Sequence, residues 1–225
     1  MGDGDAHPGV GGRVSTGHIR TVSDVVSRRL AGSYEVDEWG FDADFVAVLS
    51  PLFDARWSIR VEGAEHVPEE GGAVLVANRR FGMSEPFVVA RAVWQSTGRI
   101  ARVLGVPDIA PIGPILRRMG AVQDRPDELA GVLRAGQLAL VFLDRQLQMG
   151  ARVGHMTRET LAPAVEIGVP VLPVAVTGRE LSRRWRVDIG APVSTRTASG
   201  AGPLAVAETV DAVRAEIQEI IDHRS

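Results

Sequence analysis

The chain has 225 residues, of which 45% are hydrophobic, and a formal net charge of −3; this supports one substantial core in a single domain with appendages and gives no electrostatic ground for nucleic-acid binding. Cysteine is absent and all 25 basic residues are arginine, so disulfides, thiolate metal sites, a cysteine nucleophile, a Schiff-base lysine and a phosphate-loop lysine are excluded. Nor does any apolar run approach the ~20 residues that a membrane-spanning helix needs, which confines any membrane contact to the surface.

In chain order, "MGDGDAHPGVGG" is rich in Gly and Asp without an apolar signal core and reads as the start of a disordered, cytoplasmic tail over residues 1–20. A helical segment is expected over 21–56. In "TVSDVVSRRLA" Val22, Val25, Val26 and Leu30 share one stripe; in "DADFVAVLSPLF" Phe45, Val48, Leu49 and Leu52 recur at helical spacing, with Pro51 and the loop beyond expected to disturb it. Both predict helices docked on the domain. The acidic "EVDEWGFDAD" between them argues against a membrane-surface helix, which favours cationic flanks.

From Trp57 the pattern changes, and residues 57–225 are expected to form one α/β unit. Short β-branched strands ("WSIRVEG", "AVLVAN", "RIARVLG", "LALVFLD", "VPVLPVAV", "WRVDIG") alternate with helices ("EPFVVARAVWQS", "PIGPILRRMG", "PDELAGVLRAG", "TRETLAPAVEIG" and the closing "LAVAETVDAVRAEIQEIIDHR"). The alternation predicts a mixed, largely parallel central sheet flanked by helices. "STRTASGAGP" reads as a surface loop before the last helix.

The strand "AVLVA" ends at Asn78-Arg79-Arg80, where α/β enzymes place functional groups. The stretch "IRVEGAEHVPEEGGAVLVANRR" resembles the opening of the glycerolipid (lysophosphatidic-acid-type) acyltransferase superfamily, in which such a strand ends in Asn-His and an Asp follows five residues after the His. "MGAVQDR" resembles that family's Gly-x-x-x-x-x-Arg block, "LALVFLDRQLQ" stands where its Phe-Pro-Glu-Gly-Thr-Arg block belongs, and "GVPVLPVAVTG" is similar to its fourth block. The resemblance spans residues 57–192. It implies an acyltransferase-like fold, acyl-CoA or acyl carrier protein as acyl donor, and no resident cofactor. The partners it implies are a lipid or acyl thioester, another acyltransferase, or a membrane surface met peripherally at the inner face.

The departures from that pattern bear on the chemistry. In the family the His withdraws a proton from the acceptor hydroxyl and the Asp orients it; aligned on Asn78, those positions hold Arg79 and Ser84, with Glu85 displaced by one. A guanidinium stays protonated and accepts no proton. Where the resemblance predicts Glu-Gly-Thr-Arg, the chain has Asp144-Arg145-Gln146-Leu147, while the second block keeps a glycine, Gly120, and an arginine, Arg125, with four residues between them instead of five. Arginine suits phosphate through bidentate bonding, so an anion-binding set of Asn78, Arg79, Arg80, Arg125, Asp144 and Arg145 is expected. The segment before the second block, which lines the acyl entrance in the family, offers Ile109, Ile112, Ile115, Leu116 and Met119 as groove walls, with Pro107, Pro111 and Pro114 keeping the backbone irregular. Ordinary core packing accounts for the same residues equally well.

Other chemistry has less support. Glu85 and Asp144 are the candidate substitute bases; against that, Ser84 and Pro86 make Glu85 a helix-start residue favoured by the dipole, and Asp144 suits an ion pair with Arg79 or Arg145. "GMSEP" has Pro86 where a serine nucleophile elbow needs its second glycine. His155 reads as a solvated loop residue, and the histidines lack metal-ligand spacing. The expectation is an acyltransferase-fold protein without the His/Asp mechanism that acts by binding. The alternatives are a working transferase with Glu85 or Asp144 as base, and a structural subunit that docks a partner through its N-terminal helices.

Overall fold

The computed structural model describes residue 27 and residues 31–32, 35–79, 83–105, 109–144, 153–195 and 202–224. The N-terminal tail, all of the first expected helix except Ser27 and Ala31, and Arg80, Pro107 and Arg145 lie outside them, as does most of the loop before the last helix.

Seven strands form one sheet: β1 (Ser58–Glu62), β2 (Ala73–Ala77), β3 (Ala101–Leu104), β4 (Ala121–Val122), β5 (Leu138–Phe142), β6 (Val171–Gly178) and β7 (Arg184–Ile189), in the order β1-β7-β6-β2-β5-β3-β4. The run from β6 to β4 is parallel; β7 turns back antiparallel to β6 and pairs in parallel with β1. The helices are α1 (Ala43–Arg56), α2 (Glu85–Thr97), α3 (Ile112–Arg118), α4 (Pro126–Arg134), α5 (Arg158–Ile167) and α6 (Pro203–Asp222). This is the mixed, largely parallel sheet that the alternation of strands and helices predicts.

Strand β2 explains why the sheet is covered on both faces. All five of its residues are buried; because side chains alternate, Val74 and Val76 join a core with Leu129, Leu133, Leu161 and Val213, from α4, α5 and α6. Ala73, Leu75 and Ala77 face the other way, onto Val88, Val89, Ala92 and Val93 of α2. A parallel strand buried on both faces reads as a continuous apolar run rather than an alternating one.

Two elements differ from expectation. Helix α1 runs through Pro51 to Arg56 instead of ending there. Its far end is held by tertiary contacts that outweigh the proline: Phe53, Trp57 and Phe87 of α2 form an aromatic stack, and Arg91 of α2 grips Asp54 at 2.8 Å. The two-residue strand β4 is too short to carry a periodicity that could announce it. The segment before α1 is equally integrated. Asp37 pairs with Arg102, which is almost fully enclosed, bonds Gln137 at 2.7 Å and lies over the Phe41 ring. Burial pushes the Arg102 guanidinium below its usual range, and the bond from Asp37 opposes that. Gly120 adopts φ +94° beneath this knot, where a Cβ would stand 3.3 Å from Phe41.

Candidate functional site

The C-terminal edge of the parallel strands gathers most of the sequence-flagged residues, because β2, β3, β4, β5 and β6 all end there. Asn78 follows β2 and is buried. Its side-chain amide donates to the Val176 carbonyl at 3.0 Å and accepts from the Val176 N–H at 2.6 Å, so it prolongs the β2–β6 ladder by a side chain. Both of its polar atoms are thus engaged in structure.

Arg79, half-buried, places its guanidinium carbon 5.8 Å from the centre of the Phe142 ring. Phe142 is the last residue of β5 and pairs with Ala77, so the cation sits on the aromatic face that the neighbouring strand presents. Ser84 holds the N-cap position of α2 in αR conformation but makes no side-chain capping bond. Its hydroxyl instead donates to Glu180 Oε1 at 2.7 Å and its N–H to Glu180 Oε2 at 3.2 Å. The expected cap is missing because the αR backbone of Ser84 departs from the extended conformation that aims an N-cap oxygen at the first-turn N–H groups, and its hydroxyl is left to donate to a carboxylate of the β6–β7 turn. Glu85, the first residue of α2, is 2% exposed, and its Oε2 is buried without a hydrogen-bond partner among the described residues.

Asp144 is exposed at the exit of β5, so the burial that a carboxylate base requires is lacking. No ion pair between Asp144 and Arg79 is found among the described residues. Its backbone is the part held in place: its N–H donates to the His155 carbonyl at 2.7 Å, and Gly154 packs so closely that a Cβ there would stand 2.1 Å from the Asp144 carbonyl oxygen. His155 is exposed, as a loop histidine should be.

Arg125 lies farther along the same edge. Between β2 and β4 stand β5 and β3, three inter-strand steps or ~14 Å, and Arg125 directs two bonds to Asp127, at 3.2 and 2.9 Å. The Arg125 bond holds the exposed Asp127 carboxyl below its ordinary range. The described residues therefore do not gather Arg79 and Arg125 into one phosphate clamp. Nor do the expected groove residues form an enclosed channel: Ile109, Ile112 and Ile115 are exposed, which excludes core packing for them, and Leu116 and Met119 are half-buried. A cleft of about 180 Å³ beside Arg125, walled by Leu104, Asp124, Leu129, Thr157 and Glu159, is smaller than the roughly 300–1,000 Å³ usual for small-molecule sites. Among the described residues no helix is long and apolar enough to cross a membrane, and no cluster of His, Asp and Glu is placed to hold a metal ion.

No family model matches the chain. Relatives described as uncharacterized proteins occur in Mycobacterium tuberculosis, 24% identical over 90% of this chain and 73% of the relative, and in Mycobacterium leprae, 27% identical over 91% and 71%. Among solved structures, the 1-acyl-sn-glycerophosphate (LPA) acyltransferase PlsC from Thermotoga maritima superposes with a TM-score of 0.55 at 20% identity, covering 78% of this chain and 80% of that one. The fold is acyltransferase-like. On that acyltransferase-like fold, the two positions the sequence resemblance assigns to His and Asp carry a guanidinium stacked on Phe142 and a hydroxyl bonded to Glu180.

Sequence reasoning missed Phe142 and Glu180, the partners that fix what Arg79 and Ser84 can do. Glu180 is 96 residues from Ser84, and nothing local in "TGRELSRR" marks it. Phe142 closes an ordinary apolar strand; only the β2–β5 register makes it the floor under Arg79.

Proposed function

We propose that this chain is a catalytically impaired, acyltransferase-fold protein of glycerolipid metabolism that acts by binding a lipid or acyl thioester. One observation carries the reading: the base position holds Arg79, a permanent cation lying over Phe142. Proton withdrawal from an acceptor hydroxyl needs a group whose pKa lies near working pH, and a guanidinium has none in reach. A cation at the mouth of the site suits the anionic headgroup of a phospholipid or the phosphates of an acyl thioester.

The test joins two measurements on the full chain. Incubated with acyl-CoA or acyl carrier protein and a lysophospholipid, it is expected to give no transfer above background, whereas native mass spectrometry of the protein purified from lipid-containing cells is expected to show a bound acyl chain or phospholipid. Robust turnover that disappears on substitution of a residue at this edge refutes the impairment; a chain with no lipid bound and no affinity for acyl thioesters refutes the binding role.

A second reading, a working transferase with a displaced base, draws on Glu85, a nearly fully enclosed carboxylate at the start of α2 with one oxygen unpartnered among the described residues. It requires transfer that Glu85→Gln abolishes while the melting temperature is maintained.

A further inference from the structure

The β6–β7 connection is a rigid turn with an apolar tip. Ser182 N–H donates to the Arg179 carbonyl at 2.7 Å, which closes a four-residue β-turn with Glu180 and Leu181 at its corners. Arg184 N–H and Trp185 Nε1 bond Ser182 from the strand that follows. Two elements brace the turn from outside. Arg56, at the end of α1, donates to the Glu180 and Ser182 carbonyls at 2.6 and 2.9 Å, and Ser84 binds both oxygens of the Glu180 carboxylate.

On this braced point Leu181 is 94% exposed. A leucine held almost wholly in water by a fixed backbone gains nothing from folding, whereas burial on a partner removes its apolar surface from water. Met83, one residue before the Ser84 that bonds the turn, is 72% exposed, and Leu52, one helical turn before Arg56, is 65% exposed. Three large apolar side chains thus flank the same set of hydrogen bonds. Positive charge is in excess at the turn, where three arginines stand with one glutamate. Arg179, Arg183 and Arg184 are exposed and form no ion pair among the described residues, while Glu180, the single acid in the turn, is occupied by Ser84.

The geometry points to a docking surface for an anionic phospholipid bilayer, with Leu181 and Met83 entering the interface and Arg179, Arg183 and Arg184 meeting the lipid phosphates. Small apolar projections ringed by arginine are what such a surface takes: each apolar side chain adds burial, and each arginine near an anionic leaflet about a fivefold gain in affinity. Because the turn follows β6, it lies on the sheet edge where β2 delivers Arg79, so docking brings that edge against the headgroups. The inference goes beyond the binding role proposed above and does not require any acyl chemistry.

Co-sedimentation of the full chain with vesicles tests it, using phosphatidylcholine alone and phosphatidylcholine mixed with phosphatidylglycerol. Binding is expected to the mixed vesicles and to fall with salt. Leu181→Asp is expected to weaken it by at least about tenfold, and the Arg183→Gln/Arg184→Gln pair by about 30-fold. Exposure of all three positions predicts unchanged thermal melts, and Arg134→Gln at the far end of α4 should bind as the parent does. Failure to bind mixed vesicles overturns the proposal and leaves the exposed leucine to a protein partner. Binding that both hairpin variants retain in full overturns it too, since the contact must then lie elsewhere.

Discussion

The exits of β2 and β4 lie on one edge of the same sheet, yet they are built in opposite ways. At β2 three flagged side chains meet something distant in sequence: Asn78 meets Val176, Arg79 meets Phe142, and Ser84 meets Glu180. At β4, Arg125 bonds Asp127, two residues away, in water. The contrast teaches that two exits on one edge are held by different means. The first exit is consolidated by partners from distant segments, while the second is an open surface whose charges satisfy one another locally.

The strongest way to break this comparison is Asn78→Leu. It strips two hydrogen bonds and strands the N–H and carbonyl of Val176 in the core, so it is expected to destabilise the fold by about 3 kcal/mol in chemical denaturation; a loss near zero would mean that the β2 exit is not braced. Next, the Arg79→His/Ser84→Asp double variant restores the residue types of the family pattern but should lower stability by about 2 kcal/mol and yield no acyl transfer. A carboxylate at 84 would face the Glu180 carboxylate instead of orienting an imidazole. Measurable turnover would show that residue types alone make the site. Ser84→Ala sharpens the account at smaller scale: one hydroxyl bond to a charged acceptor is lost while the N–H bond persists, so about 1 kcal/mol is expected in thermal unfolding.

At the open end the expected effect is the smallest. Asp127→Asn removes an exposed ion pair and should leave the melting temperature at neutral pH within error. The sign of its pH dependence is still fixed. The Asp127 carboxyl is held below its unfolded range by Arg125, so whatever it contributes is present above the ordinary aspartate range and lost as the pH falls through the lowered value. A melt that loses stability with rising pH because of this residue would contradict the assignment.

Much of the scaffold was legible because its signals are local. The run "AVLVA" announced a doubly buried strand, and the 3.6-residue period of "LAVAETVDAVRAEIQEIIDHR" announced α6. The helix over 43–56 was legible up to Pro51, whereas its continuation depends on Phe87 and Arg91, residues it meets only after folding. In the candidate site, the identities at 79 and 84 were readable, and with them the absence of a proton acceptor at 79. What those side chains touch was not. The ion pair expected of Asp144 with Arg79 is absent among the described residues, and the cap expected of Ser84 gave way to a bond with Glu180, 96 residues away.

By itself, the sequence determined the alternating α/β order, the absence of thiol and lysine chemistry, and the permanent positive charge at position 79; these follow from covalent identity and short-range periodicity. Only the tertiary structure decided that Asn78 serves the sheet, that Glu180 holds Ser84, that Glu85 is enclosed, and that Leu181 stands in solvent. Each of these depends on which strands lie side by side, and strand order is set by the burial of a shared core rather than by any segment read alone.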